Sequence, residues 1–391
     1  MYKKHIFAAI VGIFPFFIFA QNNTQDQIIP AIAEQVKILI LETNKNKDSL
    51  KVSPRTIAKN GHLELVPARD WTSGFYAGIL WQLYEATKEK TWLEEAQKAT
   101  ALLEAEKFNG RTHDMGFKIY CSYGQGYRLT GNAQYKDVLI QSAKTLITRF
   151  NPVVGCLRSW DHNTDKWQFP VIVDNMLNLE LLFAATKLTG DSTYYRIAVS
   201  HADKTLQNHF RPDGGSYHVV DYDPATGNVK HKHTHQGYAH ESTWARGQAW
   251  ALYGYTMCYR ETGQKRYLDK ALALAKWIQN HPNLPKDGVA YYDFDAPNIP
   301  NEPRDVSAAA VMVSALYELS TLQNSDPQIR PFADHIFQSL TTIYKNKIGD
   351  QYGFILHSST GSKPHNSEVS VPLIYADYYY VEALSRKRNN F

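Results

Sequence analysis

The chain has 391 residues, 43% hydrophobic and 20% charged, with a formal net charge of +4 at pH 7. That composition is globular rather than disordered or fibrous, and without a Lys/Arg-rich block it excludes a nucleic-acid footprint. Three cysteines are too few for a disulfide scaffold, and 25 Tyr with 8 Trp suit either carbohydrate contact or large helical cores.

The N-terminus carries Lys3 and Lys4, then an apolar stretch from Ile6 to Ala20. This is too short and too N-terminal for a stable span, and it reads as a secretory signal over residues 1–20 with cleavage after Ala20. No Cys follows, so a lipid anchor is not expected. Removing Lys3 and Lys4 takes the charge from +4 to +2. The mature chain, 21–391, is expected to be exported to the periplasm as a single domain with no membrane attachment.

Apolar spacing is helical nearly throughout, and no run reads as a series of alternating strands. A helix is expected over residues 25–43. A helix-turn-helix phrase then recurs from Leu83, Tyr127, Ala185, Tyr259 and, more weakly, Leu316. Each copy has a helix ending near an aromatic, a T-G-like turn and a second helix. Thr-Gly suits a helix stop because Gly accepts the left-handed C′ conformation. A last helix, 371–387, pairs with the first. Twelve helices in six hairpins predict an all-α fold, an (α/α)6 barrel with apolar inner helices and charged outer ones. Long links, near 151–172, 209–241, 281–303 and 346–368, should emerge on one face and carry function.

Counting 16 residues back from each turn Thr or Ser gives Trp71, Asp114, Val173 beside Asp174, Arg246, and Arg304 beside Asp305. At ~1.5 Å per residue these positions share one height, at the mouth where the inner helices begin. Helix N-termini there favour an anionic ligand. Asp114, Asp174 and Asp305 are each also ordinary N-cap candidates. Asp174 follows the apolar run FPVIV, which would favour its protonated form. Arg246 and Trp250 share a helix face, an arrangement suited to gripping a sugar carboxylate while a ring stacks on the sugar. His231, His233 and His235 alternate as on a strand, but no carboxylate or Cys completes a metal set, so neither metal nor cofactor is expected.

The segments DWTSGFYAGILWQLYEAT, HDMGF, VIVDNM, QGYAHESTWARGQAWALYGY, DVSAAA and IYADYYYVEAL, in this order, resemble unsaturated glucuronyl hydrolases of glycoside hydrolase family 88. The resemblance covers almost the whole mature chain. It implies an (α/α)6 barrel that removes the 4,5-unsaturated uronate left at the non-reducing end by polysaccharide lyases. It assigns Asp174 as general acid/base and Asp114 as second carboxylate. It places Trp71, His113, Trp160, His218, Gln236, Arg246 and Trp250 at the substrate. Ser359, Ser362 and Lys363 are similar to a sulfate-contacting loop in some relatives, the substrates being glycosaminoglycan or ulvan fragments. The alternatives are an unsaturated rhamnogalacturonyl hydrolase on pectin fragments, an inverting glycosidase on intact chains, or a non-catalytic sugar-binding toroid.

Overall fold

The computed structural model describes residues 19–322 and 325–388. Most of the expected export segment, residues 1–18, lies outside the described residues.

Twelve helices follow in order: α1 (Phe19–Asn46), α2 (Ser73–Thr87), α3 (Lys90–Ala101), α4 (Gly116–Thr130), α5 (Ala133–Ile147), α6 (Asn175–Thr189), α7 (Ser192–Asn208), α8 (Ala245–Thr262), α9 (Lys265–Gln279), α10 (Val306–Leu319), α11 (Ile329–Thr342) and α12 (Ile374–Arg388). The even-numbered helices touch in a closed ring, α2–α4–α6–α8–α10–α12 and back to α2. Helices α3, α5, α7, α9 and α11 each back the inner helix before them. Helix α1 packs on α2 and shares a groove with α11 and the end of α12. This is the (α/α)6 barrel read from the repeat.

Burial follows the layers. Every residue of α10 is buried. Outer helix α9 buries only the stripe Tyr267, Leu268, Ala271, Leu274, Ala275 and Ile278, the spacing of an amphipathic helix.

The turns between paired helices repeat one chemistry. Thr87, Thr130, Thr189 and Thr262 each donate their hydroxyl to the carbonyl four residues back. Each hydroxyl also accepts the backbone N–H two residues on. The next residue, Lys88, Gly131, Gly190 or Gly263, takes the left-handed C-cap. The fifth copy departs: Ser320 stays right-handed.

The links between hairpins hold short antiparallel strands, of which the sequence reading anticipated only the alternation at His231 and His233. These are β1 (Ser53–Ile57) with β2 (Leu63–Val66), and β3 (Phe150–Asn151) with β4 (Cys156–Leu157). A three-stranded sheet joins β5 (Pro170–Ile172), β6 (Val219–Tyr222) and β7 (Val229–His233), and β8 (Ser359–Ser362) pairs with β9 (Ser367–Val371). Strands of two to five residues are too short for alternation to show.

Helix α4 opens as a π-helix over Gly116–Gly124 before becoming α-helical from Gln125. Its carbonyls press against α2: a Cβ on Gly74 would collide with the carbonyl oxygens of Phe117 and Lys118. Gly74→Ala is therefore expected to cost about 1–3 kcal/mol, the range for overpacking a close contact. Urea denaturation checks this, and an unchanged midpoint would show that the two helices can part freely.

Candidate active site

At the mouth where the inner helices begin lies a cavity of about 310 Å³. Of the positions reached by counting back from the turns, Trp71, Asp114, Arg246 and Asp174 beside Val173 line it, whereas Arg304 and Asp305 do not. His113, Trp160, Gln236 and Ser362 line it as well. Beneath it sits an aromatic floor in which Trp71 meets Phe75, Phe117 and Tyr375, and Phe117 meets Trp250.

Asp174 occupies the N-cap position of α6, yet its side chain makes no capping hydrogen bond. The residue is 9% exposed, and Oδ2 is buried without a hydrogen-bond partner. Burial pushes the carboxyl up to about 7. The charge of Arg246 opposes this rise and that of Asp114 adds to it. Asp305, by contrast, is a true cap, accepting from the N–H groups of Ser307 and Ala308.

The histidines are fixed by their backbone partners. His218 Nδ1 faces two donors, the backbone N–H groups of His235 and Gln236 at 3.2 and 3.3 Å. It must accept, so the ring proton sits on Nε2, 3.6 Å from Asp174 Oδ2. Burial holds His218 well below its ordinary range, and Trp244 stacks on it at 4.4 Å. His113 is oriented the other way. Its Nδ1 donates to the Ser159 carbonyl at 2.8 Å, leaving Nε2 3.2 Å from Asp114 Oδ1. Burial lowers the His113 pKa. Two acceptors then face each other at the cavity edge, where a hydroxyl beside them can donate to either. Thr112 donates to the other oxygen of Asp114 at 2.7 Å.

Arg246 differs from the free clamp expected. It is 1% exposed, and Nη1 donates to Asp305 Oδ2 and the Thr360 carbonyl, both at 2.6 Å. Nη2 donates to the Gly361 carbonyl at 2.6 Å, and Trp244 and Tyr375 flank the guanidinium. Arg246 thus pins β8 to α10 while one edge looks into the cavity. Among the other expected contacts, His218 stands behind Asp174, and Trp250 is wholly buried outside the cavity lining, its indole opposing the rise of the Asp174 carboxyl. Ser359 is buried outside the cavity lining, and Lys363 is exposed on the hairpin beyond it. Of these three residues, only Ser362 reaches the lining.

The sequence reading missed Arg55, Glu368, His162, His365 and Tyr375, which also line the cavity. Arg55 grips Glu368 bidentately at 2.6 and 2.9 Å and Asp70 at 2.8 Å, tying β1 to β9. Among the described residues, no group of three or more His, Cys, Asp or Glu is disposed to hold a metal ion. His231 and His233 stack face to face at 4.6 Å, with His231 Nε2 3.3 Å from Asp221 and His233 Nδ1 accepting from the Trp167 indole at 3.0 Å.

A model of Glycosyl Hydrolase Family 88 matches residues 45–386. The chain belongs to glycoside hydrolase family 88. An unsaturated glucuronyl hydrolase of Formosa agariphila is 51% identical over 343 residues, 87% of this chain and 84% of that protein. One from Bacillus sp. strain GL1 is 34% identical, covering 81% of this chain and 86% of its own. Among solved structures, an unsaturated glucuronyl hydrolase specific for heparin superposes with a TM-score of 0.89 at 43% identity, covering 93% of this chain and 98% of that one. A Streptococcus agalactiae mutant complexed with dGlcA-GalNAc6S superposes at 0.76 with 27% identity, covering 94% and 93%. The family 88 chain described here is accordingly a glycoside hydrolase enzyme.

Proposed function

We propose that this family 88 enzyme is an unsaturated glucuronyl hydrolase. It would remove the 4,5-unsaturated uronate from the non-reducing end of oligosaccharides made by polysaccharide lyases. The observation that carries this reading is Asp174: a buried carboxyl at the cavity wall, free of capping duty, held up to about 7. A proton donor for carbon must be neutral near physiological pH, and burial shifts this group toward its neutral form there.

The chemistry follows from the substrate. C4=C5 is an enol ether, because the ring oxygen sits on C5. Asp174 gives its proton to C4, and positive charge develops at C5 and the ring oxygen. The nearby carboxylate of Asp114 favours that charge. Asp174, now a carboxylate, faces His218 Nε2–H, which stabilises it, and takes a proton from the water that adds to C5. The hemiketal formed at C5 then opens and the aglycone leaves. His113 Nε2 and Asp114 Oδ1 are placed to hold a sugar hydroxyl, and the remaining N–H groups of Arg246 face the uronate carboxylate.

The test is the ultraviolet absorbance of the conjugated double bond in lyase digests. Unsaturated-uronyl hydrolases consume it, whereas an inverting glycosidase or a binding toroid leaves it. The rate should also fall as pH rises above about 7, because the acid form of Asp174 is then lost. A kcat/KM profile flat from neutral to alkaline pH would remove Asp174 as the proton donor.

The basic start at Lys3 and Lys4 followed by the apolar run to Ala20 supports export to the periplasm. There residues 21–391 would act as one catalytic domain.

A further inference from the structure

Two neighbouring inner helices carry the carboxylates of the mouth, Asp114 just before α4 and Asp174 at the head of α6. One turn further in lies Asn178, fully buried. It follows Asp174 by four residues, so the two side chains share one face of α6. Its Oδ1 accepts the backbone N–H of Phe117 at 3.0 Å. Phe117 follows Asp114 by three residues and lays its ring against Trp71 and Trp250 in the aromatic floor.

This bond stands in for a helical one. In an α-helix the N–H of Phe117 would reach the His113 carbonyl, four residues back. That carbonyl instead accepts from the Met115 N–H at 2.8 Å. Helix α4 opens as a π-helix over Gly116–Gly124, and the N–H groups that begin a helix need acceptors from outside it. Asn178 supplies one from α6. The two backbones approach closely at this point: a Cβ on Gly116 would lie 2.6 Å from Asn178 Cα and 2.9 Å from its Oδ1. The other end of the amide, Nδ2, is buried without a partner. An apolar side chain of similar size would avoid that cost, so it is the acceptor that the position uses.

Asp174 is faced by Arg246 from α8, by Asp114 with His113 beside it from the link before α4, and by His218 from the link before β6. Across the cavity, Arg55 and Glu368 are closed on each other. Of these groups, only His113 and Asp114 ride on the start of α4. Asn178 itself lies outside the cavity lining, so it acts through the carboxylates.

Resting on the hydrolase reading above, we propose that Asn178 is a positioning residue: by holding the first turn of α4 to α6, it sets the spacing of Asp114 and Asp174 for proton transfer to C4 of the unsaturated uronate.

The test uses Asn178→Leu, which keeps the size and removes the acceptor. It also removes the unpaired Nδ2, which offsets the lost bond to Phe117. On an unsaturated disaccharide, kcat should fall about 10- to 100-fold while KM stays within a few-fold, as when a reacting group is misplaced. The alkaline limb of kcat/KM should move to lower pH by about half a pH unit, because Asp114, once free to recede, adds less to the rise of the Asp174 carboxyl. Asn178→Asp keeps an acceptor oxygen facing Phe117, so its kcat should stay within a few-fold of the wild type and its alkaline limb should not move down. If Asn178→Leu does not fold, Asn178→Ala carries the same expectations. A kcat within about twofold of the wild type in the variant lacking the acceptor, or a loss of kcat with an unmoved alkaline limb, overturns the positioning role. A wild-type enzyme that leaves the double bond intact in every lyase digest would instead overturn the hydrolase reading, and the role with it.

Discussion

Asp174→Asn is expected to lower kcat by about 10²–10⁴ or more, the range for losing a general acid–base group. Binding of the unsaturated disaccharide should stay within a few-fold, because Asn keeps the shape of the site. Steady-state turnover and calorimetry together check this, and kcat within tenfold of the wild type would refute the role. The same variant carries a stability signature. The Asp174 pKa is raised from its ordinary 3.8 to about 7, so the folded protein holds a proton that the unfolded chain releases. Its contribution to stability is complete below the unfolded value. It declines by about 1.4 kcal/mol per pH unit as pH rises toward 7. Asp174→Asn removes that slope. The variant should therefore gain in Tm relative to the wild type as pH rises from about 4 to about 8. A parallel pair of Tm curves would mean that Asp174 is ionised in the fold.

Arg246→Met should be the most destabilising change at the mouth. The expected cost is about 3–5 kcal/mol, because removing one partner of a buried pair leaves the other uncompensated. Asp305 is fully buried, and the carbonyls of Thr360 and Gly361 lose their donors at once. Arg246→Met combined with Asp305→Asn should recover part of the loss, measured by urea denaturation as a double-mutant cycle. A variant of wild-type stability whose only defect is a higher KM would return Arg246 to the simpler part of carboxylate clamp. The same guanidinium that faces the cavity also anchors the β8–β9 wall.

Much of this was legible before any coordinates. The Thr-Gly turns repeat because each hydroxyl and each left-handed C-cap does the same local work, and local work leaves a local mark in sequence. The turns fixed the helix count, and the count fixed which residues share a height. Trp71, Asp114, Asp174 and Arg246 were found in this way. What stayed hidden depends on contacts between distant segments. The Arg55–Glu368 pair spans most of the chain, and nothing near Arg55 announces a partner. The commitment of Arg246 to Asp305 rests on the packing of two neighbouring inner helices. His162 and His365 are single polar residues in links, and only the folded rim brings them to His235. Ser359 and Ser362 part company because Ser359 pairs with Val371 at the buried base of the hairpin, whereas Ser362 pairs with Ser367 nearer its turn, where the hairpin meets the cavity.

The barrel's two ends answer to different constraints. At one end, four Thr turns of nearly identical chemistry close the hairpins tightly. At the other, the links before α2, α4, α6, α8 and α12 supply residues to the cavity lining. Drift in the links can therefore reshape the mouth without disturbing the helices that hold Asp114 and Asp174. A lineage built this way can change its diet, from one decorated glycan to another, by rewriting a few surface segments while inheriting the reaction intact.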